Sequence, residues 1–495
     1  MKASELFPGI SLPDAIGDRE IRSITDRASA ADGGAVFVCI HGARTNGHTL
    51  APEAYCSGCR MFVASEKLEL PEDAWILSVP NTRRTLATLA CRFYGDPSHR
   101  MQVIGITGTK GKTTVAQMIA GMLNDNGIRC GYIGTNGIAF DRVHRETNNT
   151  TPDPLTLQKA LSEMAATGIR AVALEVSSQA LKQFRAWGTR FSATIFTNLF
   201  PDHIGVNEHP DFADYLACKH RLFTDFPATY AIFNADDPTA PQMMQGCAAE
   251  KLLTFSMTDG SAADLSAIRI LPTLEQGIPG ISFCAMSGKT AQAYRLPMVG
   301  SYSAGNALPA ILVCSRLFGL SPEQMAESLS KMQIPGRSEV FLLPSGGTVL
   351  IDYAHNGESL RRLLESLREY RPGRLLCLFG SVGERTKLRR REMGLAAAEL
   401  SDLCFLTSDN PGEEPPEKII AEIATAFSGF PTPYYCIPDR EEAIRTAVQM
   451  TGKGDILVLA GKGQEQYQLI GKEKKPFSEK EILRRMVAEN AVPFA

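Results

Sequence analysis

Gly105-Ile106-Thr107-Gly108-Thr109-Lys110-Gly111-Lys112-Thr113-Thr114 reads as a phosphate-cradling loop set between a strand and a helix. Upstream, Gln102-Val103-Ile104-Gly105-Ile106 is short, apolar and β-branched, the pattern of a buried parallel strand. Downstream, Val115 to Leu123 has the spacing of an amphipathic helix. Glycines let backbone approach an anion closely, and a helix N-terminus turns free N–H groups and a positive dipole end toward it. Lys112 adds a point charge for terminal phosphates, and Thr113 offers a hydroxyl to Mg²⁺. The plainer alternative, a Gly-rich turn with no ligand, is disfavoured by the strand before and the helix after. The commoner loop has glycine where Ile106 stands, so this shorter form points to a subfamily.

At 495 residues the chain is too long for one core, and two to four domains are expected. An apolar fraction of 44% and a charged fraction of 21% are ordinary for a globular protein. A net charge of −3 and a pI near 6.3 give no electrostatic footprint for nucleic acid or an anionic membrane. No apolar run reaches bilayer length, and Met1-Lys2-Ala3-Ser4-Glu5-Leu6 has no signal core, so a cytoplasmic protein without membrane insertion is expected. The 12 cysteines then read as reduced thiols. Cys56-Ser57-Gly58-Cys59 has redox or zinc spacing but no second Cys/His pair nearby, and an inert surface turn is expected.

Three blocks are expected: 1–98, 99–333 and 334–495. The first holds short strands such as Ala35–Ile40 and Trp75–Val79 among Gly- and Asp-rich turns, a small α/β domain. The second opens with the phosphate loop and continues with strand-like Ala171–Glu175 and Thr194–Thr197, a parallel sheet with helices on both faces. A β-rich insertion surrounds Gly277 to Gly288, and Ile334-Pro335-Gly336-Arg337 is a candidate linker. Strand–helix alternation then restarts at Val349–Tyr353, Leu375–Phe379, Leu403–Thr407 and Ile456–Ala460, a second doubly wound, Rossmann-like unit.

Polar residues gather where those strands end. Glu175 closes a buried strand, as suits either a hard-oxygen ligand for Mg²⁺ or a helix-cap partner. Asp202-His203 also follows a strand and could serve metal, nucleotide or substrate. Lys219 reads as a solvated helix residue on spacing alone. In the last block, Asp352-Tyr353-Ala354-His355, the basic run from Gly383 to Arg391, Asp409-Asn410-Pro411 and Gly461-Lys462-Gly463-Gln464-Glu465 all follow strands. Asp409 and Glu465 could together bind an ammonium group.

Read in order, these motifs resemble the Mur ligase family over nearly the whole chain, and within it the branch that adds the third peptide residue, a diamino acid. The likeness rests on Thr107–Thr114, Asn149-Thr150-Thr151-Pro152, Glu175-Val176-Ser177-Ser178, Asp202-His203, Lys219, Pro335-Gly336-Arg337, Asp352–His355, Ser408–Pro411 and Gly461-Lys462-Gly463. It implies three domains, holding in turn the uridine nucleotide, ATP and the incoming amino acid. It implies that ATP phosphorylates the D-glutamyl carboxylate of UDP-N-acetylmuramoyl-L-Ala-D-Glu, after which an amine displaces phosphate. Gly108, Thr109, Lys110, Gly111, Lys112, Thr113, Thr114, Asn306, Arg337 and Asp352 would bind ATP. Thr113, Glu175, His203 and Lys219 would serve Mg²⁺, with Lys219 carbamylated, and Lys112, Glu175, His203 and Lys219 would be catalytic. Thr150, Thr151, Ser177, Ser178 and Arg185 would hold the muramoyl-dipeptide. Arg390, Asp409, Asn410, Gly461 and Glu465 would line the amino-acid pocket. A monomer acting on small molecules alone is expected.

Departures from the family pattern are as informative. Thr25-Asp26-Arg27-Ala28-Ser29 scrambles the usual Asp-Ser-Arg near the uridine, while Gln179 and Gln464 stand where histidine is common. Gly412 occupies the place of the arginine that holds the distal carboxylate in diaminopimelate enzymes. This favours L-lysine or another diamino acid, whereas Arg390 and Glu465 fit the diaminopimelate pattern, so the choice of amino acid stands open. The weighed alternatives are a folylpolyglutamate synthase-like ligase, disfavoured by the block before the phosphate loop, and a non-catalytic nucleotide-binding regulator.

Overall fold

A computed structural model describes residues 1–42, 45–202, 204–205, 208–384 and 387–490. The chain divides into two units, residues 1–255 with 312–317 and residues 256–311 with 318–495. In the first, Ser23–Thr25, Ala35–Val38, Met61–Ala64 and Trp75–Ser78 form a parallel sheet in sequence order. Its two central strands are buried at every position, which is why they read as unbroken apolar runs.

The larger strands of the same unit run in the order Lys251–Ser256, Tyr230–Asn234, Ala193–Phe196, Gln102–Thr107, Ala171–Glu175, Cys130–Gly134, Gly137–Phe140 and Val143–Arg145. Neighbours pair in parallel as far as Cys130–Gly134, after which Gly137–Phe140 and Val143–Arg145 continue as an antiparallel meander. Gln102–Thr107 lies between Ala171–Glu175 and Ala193–Phe196, with Ile106 beside Glu175 and Thr107 beside Phe196. The phosphate loop, Glu175 and Thr197-Asn198 therefore leave the sheet at one edge, the carboxyl ends where open α/β sheets bind ligands. Helix Lys112–Asp125 starts after Gly111, whose φ of 87° only glycine adopts without strain.

In the second unit Leu265–Glu275, Ile278–Ser287 and Thr290–Leu296 form an antiparallel meander. Gln276 and Gly277, both left-handed, close its first hairpin, so the β-rich insertion is present. A further sheet runs Glu339–Leu342, Thr348–Asp352, Ile456–Ala460, Leu375–Phe379, Leu403–Leu406, Tyr434–Cys436, parallel apart from its first pair. The fold class is as expected, α/β with parallel sheets and a Rossmann-like C-terminal sheet. One expectation needs correcting: Cys56 is exposed, but Cys59 is fully buried and donates its thiol to Ala35 O and Met61 O, each at 3.3 Å. Among the described residues no helix is long and apolar enough to cross a membrane.

Candidate active site

In the first unit the phosphate loop is braced from the neighbouring strand end. Thr109 N donates to Asn198 O at 2.9 Å, Lys110 N to Asn198 Oδ1 at 2.9 Å, and Thr197 Oγ1 to Lys110 O at 2.7 Å. A Cβ on Gly108, whose φ is 150°, would lie 1.9 Å from Thr197 Oγ1. Gly108→Ala should therefore destabilise the fold by about 1–3 kcal/mol. It should also abolish ADP binding by calorimetry; unchanged melting and ADP affinity would show that the loop tolerates a side chain.

Two amines converge on one carbonyl: Lys112 Nζ donates to Gly108 O at 2.7 Å and Lys219 Nζ donates to the same oxygen at 2.8 Å. Lys219 is 1% exposed and lies 4.6 Å from the Tyr215 ring centre. The solvated helix position inferred from spacing alone is thus wrong. The cause is that Lys219 shares the inner face of helix Phe212–Thr224 with Tyr215, Leu222 and Phe223. Burial first, and the Lys112 ammonium second, hold its amine well below the ordinary lysine range.

Glu175, fully buried, is surrounded by donors. Tyr132 OH reaches Oε1 at 2.5 Å, Thr135 N reaches Oε1 at 3.0 Å, and Thr113 Oγ1 and Thr135 Oγ1 reach Oε2 at 3.0 and 3.1 Å. Four donors offset the cost of burying a carboxylate. Tyr132, Thr135 and Asn198 were missed by motif reading; Thr135 and Asn198 lie just past strand ends, a positional signal, whereas Tyr132 is inside strand Cys130–Gly134 and carries none. Lys110 lies 3.5 Å from Asp202. His203 lies outside the described residues.

The residues expected to meet the muramoyl-dipeptide stand beside Glu175. Thr151 Oγ1 donates to Glu175 O at 2.8 Å and accepts from Ser177 N at 3.0 Å, and Thr150 Oγ1 lies 3.2 Å from Thr135 Oγ1. Ser178 Oγ contacts His209 Nε2 at 2.9 Å, and His209 Nδ1 contacts Asp214 at 2.6 Å. Arg185 donates to Thr151 O and lines an open cavity with Asp26, Arg83, Asn149 and Asp153. Burial and then Arg83 lower the pKa of Arg185, a pairing of guanidiniums suited to an anionic ligand.

The remaining candidates lie in the second unit. Asn306 sits near the start of helix Tyr302–Phe318. Asp352 ends its strand, accepts from Ser338 N at 2.8 Å and Ala354 N at 2.9 Å, and has its pKa raised by burial against the lowering by Arg337. Arg337 stacks 4.8 Å from the Tyr353 ring centre. Asn410 Nδ2 donates to Glu465 Oε2 at 2.9 Å. Lys462, fully buried, donates to Glu465 Oε2 at 3.0 Å and Asn410 Oδ1 at 3.1 Å and lies 3.7 Å from Asp409. Asp409 and Glu465 thus already share a protein ammonium. A Cβ on Gly461, with φ 111°, would sit 2.8 Å from Asp409 Oδ2.

Arg390, expected to line this pocket, is 2% exposed and forked onto Glu414 at 2.9 and 2.6 Å, with Glu422 at 2.7 Å. Hydrogen bonding from Arg390 holds Glu414 down at about 2. The positive charge read from the 383–391 run is therefore met internally at Arg390, and also at Lys387, which pairs with Glu422 at 2.9 Å.

A phosphate-loop α/β protein with an oxygen-rich strand edge and a second α/β unit is the class this geometry defines. The Mur ligase middle domain matches residues 106–314, and the Mur ligase glutamate ligase domain matches residues 336–463. The chain is 34% identical to the UDP-N-acetylmuramoyl-L-alanyl-D-glutamate--2,6-diaminopimelate ligase of Trichormus variabilis, covering 99% of both chains. It is 36% identical to the ligase of that name from Chlorobaculum tepidum, over 95% of this chain and 93% of that one. A solved structure of a ligase of that name superposes with a TM-score of 0.72 at 27% identity, covering 99% of both chains. The chain belongs to the Mur ligase family, and it is an acid–amino-acid ligase.

Proposed function

We propose that the protein is an ATP-dependent ligase of peptidoglycan synthesis that joins a diamino acid to the D-glutamyl carboxylate of UDP-N-acetylmuramoyl-L-Ala-D-Glu. The convergence of Lys112 and Lys219 on the Gly108 carbonyl beside buried Glu175 carries this reading. A carboxylate is a poor acyl donor. Its oxygen attacks the terminal phosphorus of ATP and ADP leaves; the neutral amine then attacks the acyl carbon, the C–O bond to phosphate breaks, and a proton is released. The protein's share is orientation and charge: Lys112 and the loop N–H groups hold the phosphates, and Thr150, Thr151, Ser177, Ser178 and Arg185 hold the acceptor.

Mg²⁺, a hard cation that takes oxygen ligands, would be held by Thr113, Glu175 and a carbamate on Lys219, and His203, outside the described residues, is the further ligand the family likeness implies. Such a cation supplies neutralisation of phosphate charge. Burial pushes the pKa of Lys219 well down, which favours the neutral amine, the form that captures CO₂. Asn306, Arg337 and Asp352 would meet the nucleotide. The domains are assigned as 1–98, 99–333 and 334–495, in a cytoplasmic monomer.

The relatives named for 2,6-diaminopimelate favour that amino acid. The Arg390–Glu414 fork and Gly412 favour one without a distal carboxylate, L-lysine or L-ornithine. The test is amine-dependent phosphate release from ATP with UDP-muramoyl-dipeptide and a panel of meso-diaminopimelate, L-lysine and L-ornithine. Turnover with a diamino acid is expected. ATP binding with no turnover on any of them would leave a nucleotide-binding regulator, and turnover of a folate with glutamate would favour the folylpolyglutamate alternative.

A further inference from the structure

Among the described residues of the second unit, Arg440 is the largest fully buried side chain that no step above uses, 1% exposed. It opens helix Arg440–Gln449, and its guanidinium spans two loops. Nη1 donates to Ser408 O at 3.0 Å and Nη2 donates to Ala460 O at 2.9 Å. Those carbonyls immediately precede Asp409-Asn410 on one loop and Gly461 on the other. Glu479, at the start of helix Glu479–Asn490, accepts from Nε at 2.9 Å through Oε1, which also lies 2.8 Å from Nη2 as an ion pair. Its Oε2 is buried with no hydrogen-bond partner. Burial raises the Glu479 pKa, opposed by Arg440 and more weakly by Lys462. Arg440, Glu479, Lys462 and Asp409 thus form one buried charge network.

We propose that Arg440, held by Glu479, is a positioning residue for the amino-acid site, fixing the spacing between the Asp409-Asn410 loop and the Gly461–Glu465 loop. A rigid planar fork bonds both carbonyls at once, Ala460 at a strand end and Ser408 two residues past one, which a lysine's single nitrogen cannot do with the same geometry. Gln468 adds a parallel tie on one side, donating to Ser408 Oγ at 2.7 Å and Asp409 O at 2.8 Å, but does not reach the second loop's strand end. The guanidinium of Arg440 bonds Ser408 O, Ala460 O and Glu479, so it acts on Asn410 and Glu465 through the backbone that carries them.

The proposal rests on the ligase reading and on the assignment of Asp409, Asn410, Gly461 and Glu465 to the amino-acid pocket. The experiment separates the two. Wild-type turnover is measured first; if no diamino acid is ligated, the ligase reading falls and takes this proposal with it. With wild-type turnover in hand, Arg440→Lys and the apolar pair Arg440→Met/Glu479→Leu are compared by melting and by the KM of each substrate. Replacing a buried ion pair by apolar residues of similar size preserves stability in many folds. The expected result is a rise of about tenfold or more in the KM for the amino acid, from displaced binding groups. KM for ATP should stay within about twofold, and the apolar pair should melt near wild type. An unchanged amino-acid KM in Arg440→Lys, or losses in all three KM values that track the melting temperature, would show a structural rivet only. Should the double variant not fold, Arg440→Lys, which keeps the charge opposite Glu479, decides the matter alone.

Discussion

Lys219→Ala should abolish turnover, by at least about 100-fold, the scale on which loss of a metal-site group acts. Lys219 is buried against Tyr215, its amine 2.8 Å from Gly108 O and its pKa pushed well down by burial. Burying an ammonium in that place is costly. On the proposed reading, carbamylation would make it an anion that joins Thr113 and Glu175 in holding the metal. Added formate or acetate should restore part of the activity to Lys219→Ala, by placing a carboxylate in the vacated space; near-normal activity without rescue would refute the role. Lys219→Met should be equally inactive yet as stable as wild type or more so, because it removes an amine whose burial is costly. The sign with pH follows from linkage. The folded-state pKa of Lys219 is lowered, so the unfolded chain binds more protons and wild-type stability rises with pH toward the ordinary lysine value. In bicarbonate-free buffer the melting advantage of Lys219→Met should therefore widen as pH falls from about 9 to 6. An advantage that narrows instead would mean that Lys219 is charged in the folded protein.

The fold was largely legible because its signals are local. Strands buried on both faces, such as Leu375–Phe379 and Ile456–Ala460, read as apolar runs bounded by turns, and the structure places them at those residues. The phosphate loop was legible because its glycines and lysine are contiguous. What the sequence hid are pairings over long separations. Nothing near Lys219 in the chain reveals that Gly108 O, 111 residues away, receives its amine, or that Glu175 is encircled by Tyr132 and Thr135. Arg390 misled for the same reason. It stands in a basic run, and only the fold shows Glu414 and Glu422, 24 and 32 residues on, closing over it. The motif residues of Gly461-Lys462-Gly463 were legible, but not that Lys462 is the cation shared by Asp409 and Glu465.

Amino-acid choice is the property most open to redesign, and Gly412→Arg alone should change it little. Gly412 has φ 61°, with N donating to Leu469 O at 3.1 Å and O accepting from Gly471 N at 2.7 Å. An L-residue held there costs about 1–2 kcal/mol. A Cβ would stand 3.3 Å from Glu384 Oε1, and Glu413 and Glu414 follow in sequence, so the introduced guanidinium meets carboxylates of the protein before any ligand. Arg390 stays forked onto Glu414, whose pKa of about 2 keeps that carboxylate ionised across any working pH. Its depressed folded-state value also means that its contribution to stability is present above the ordinary glutamate pKa and is lost only as pH falls toward 2. The double change Gly412→Arg/Glu414→Gln removes one competing carboxylate and leaves Arg390 with Glu422 only. A charged, two-pronged hydrogen bond to a distal carboxylate contributes about 1.5–3 kcal/mol. The double variant should therefore raise the diaminopimelate-to-lysine ratio of kcat/KM by about tenfold or more over wild type. If that ratio is unchanged while the variant melts normally and still uses lysine or diaminopimelate, selection of the distal group lies away from Gly412 and the Arg390–Glu414 fork.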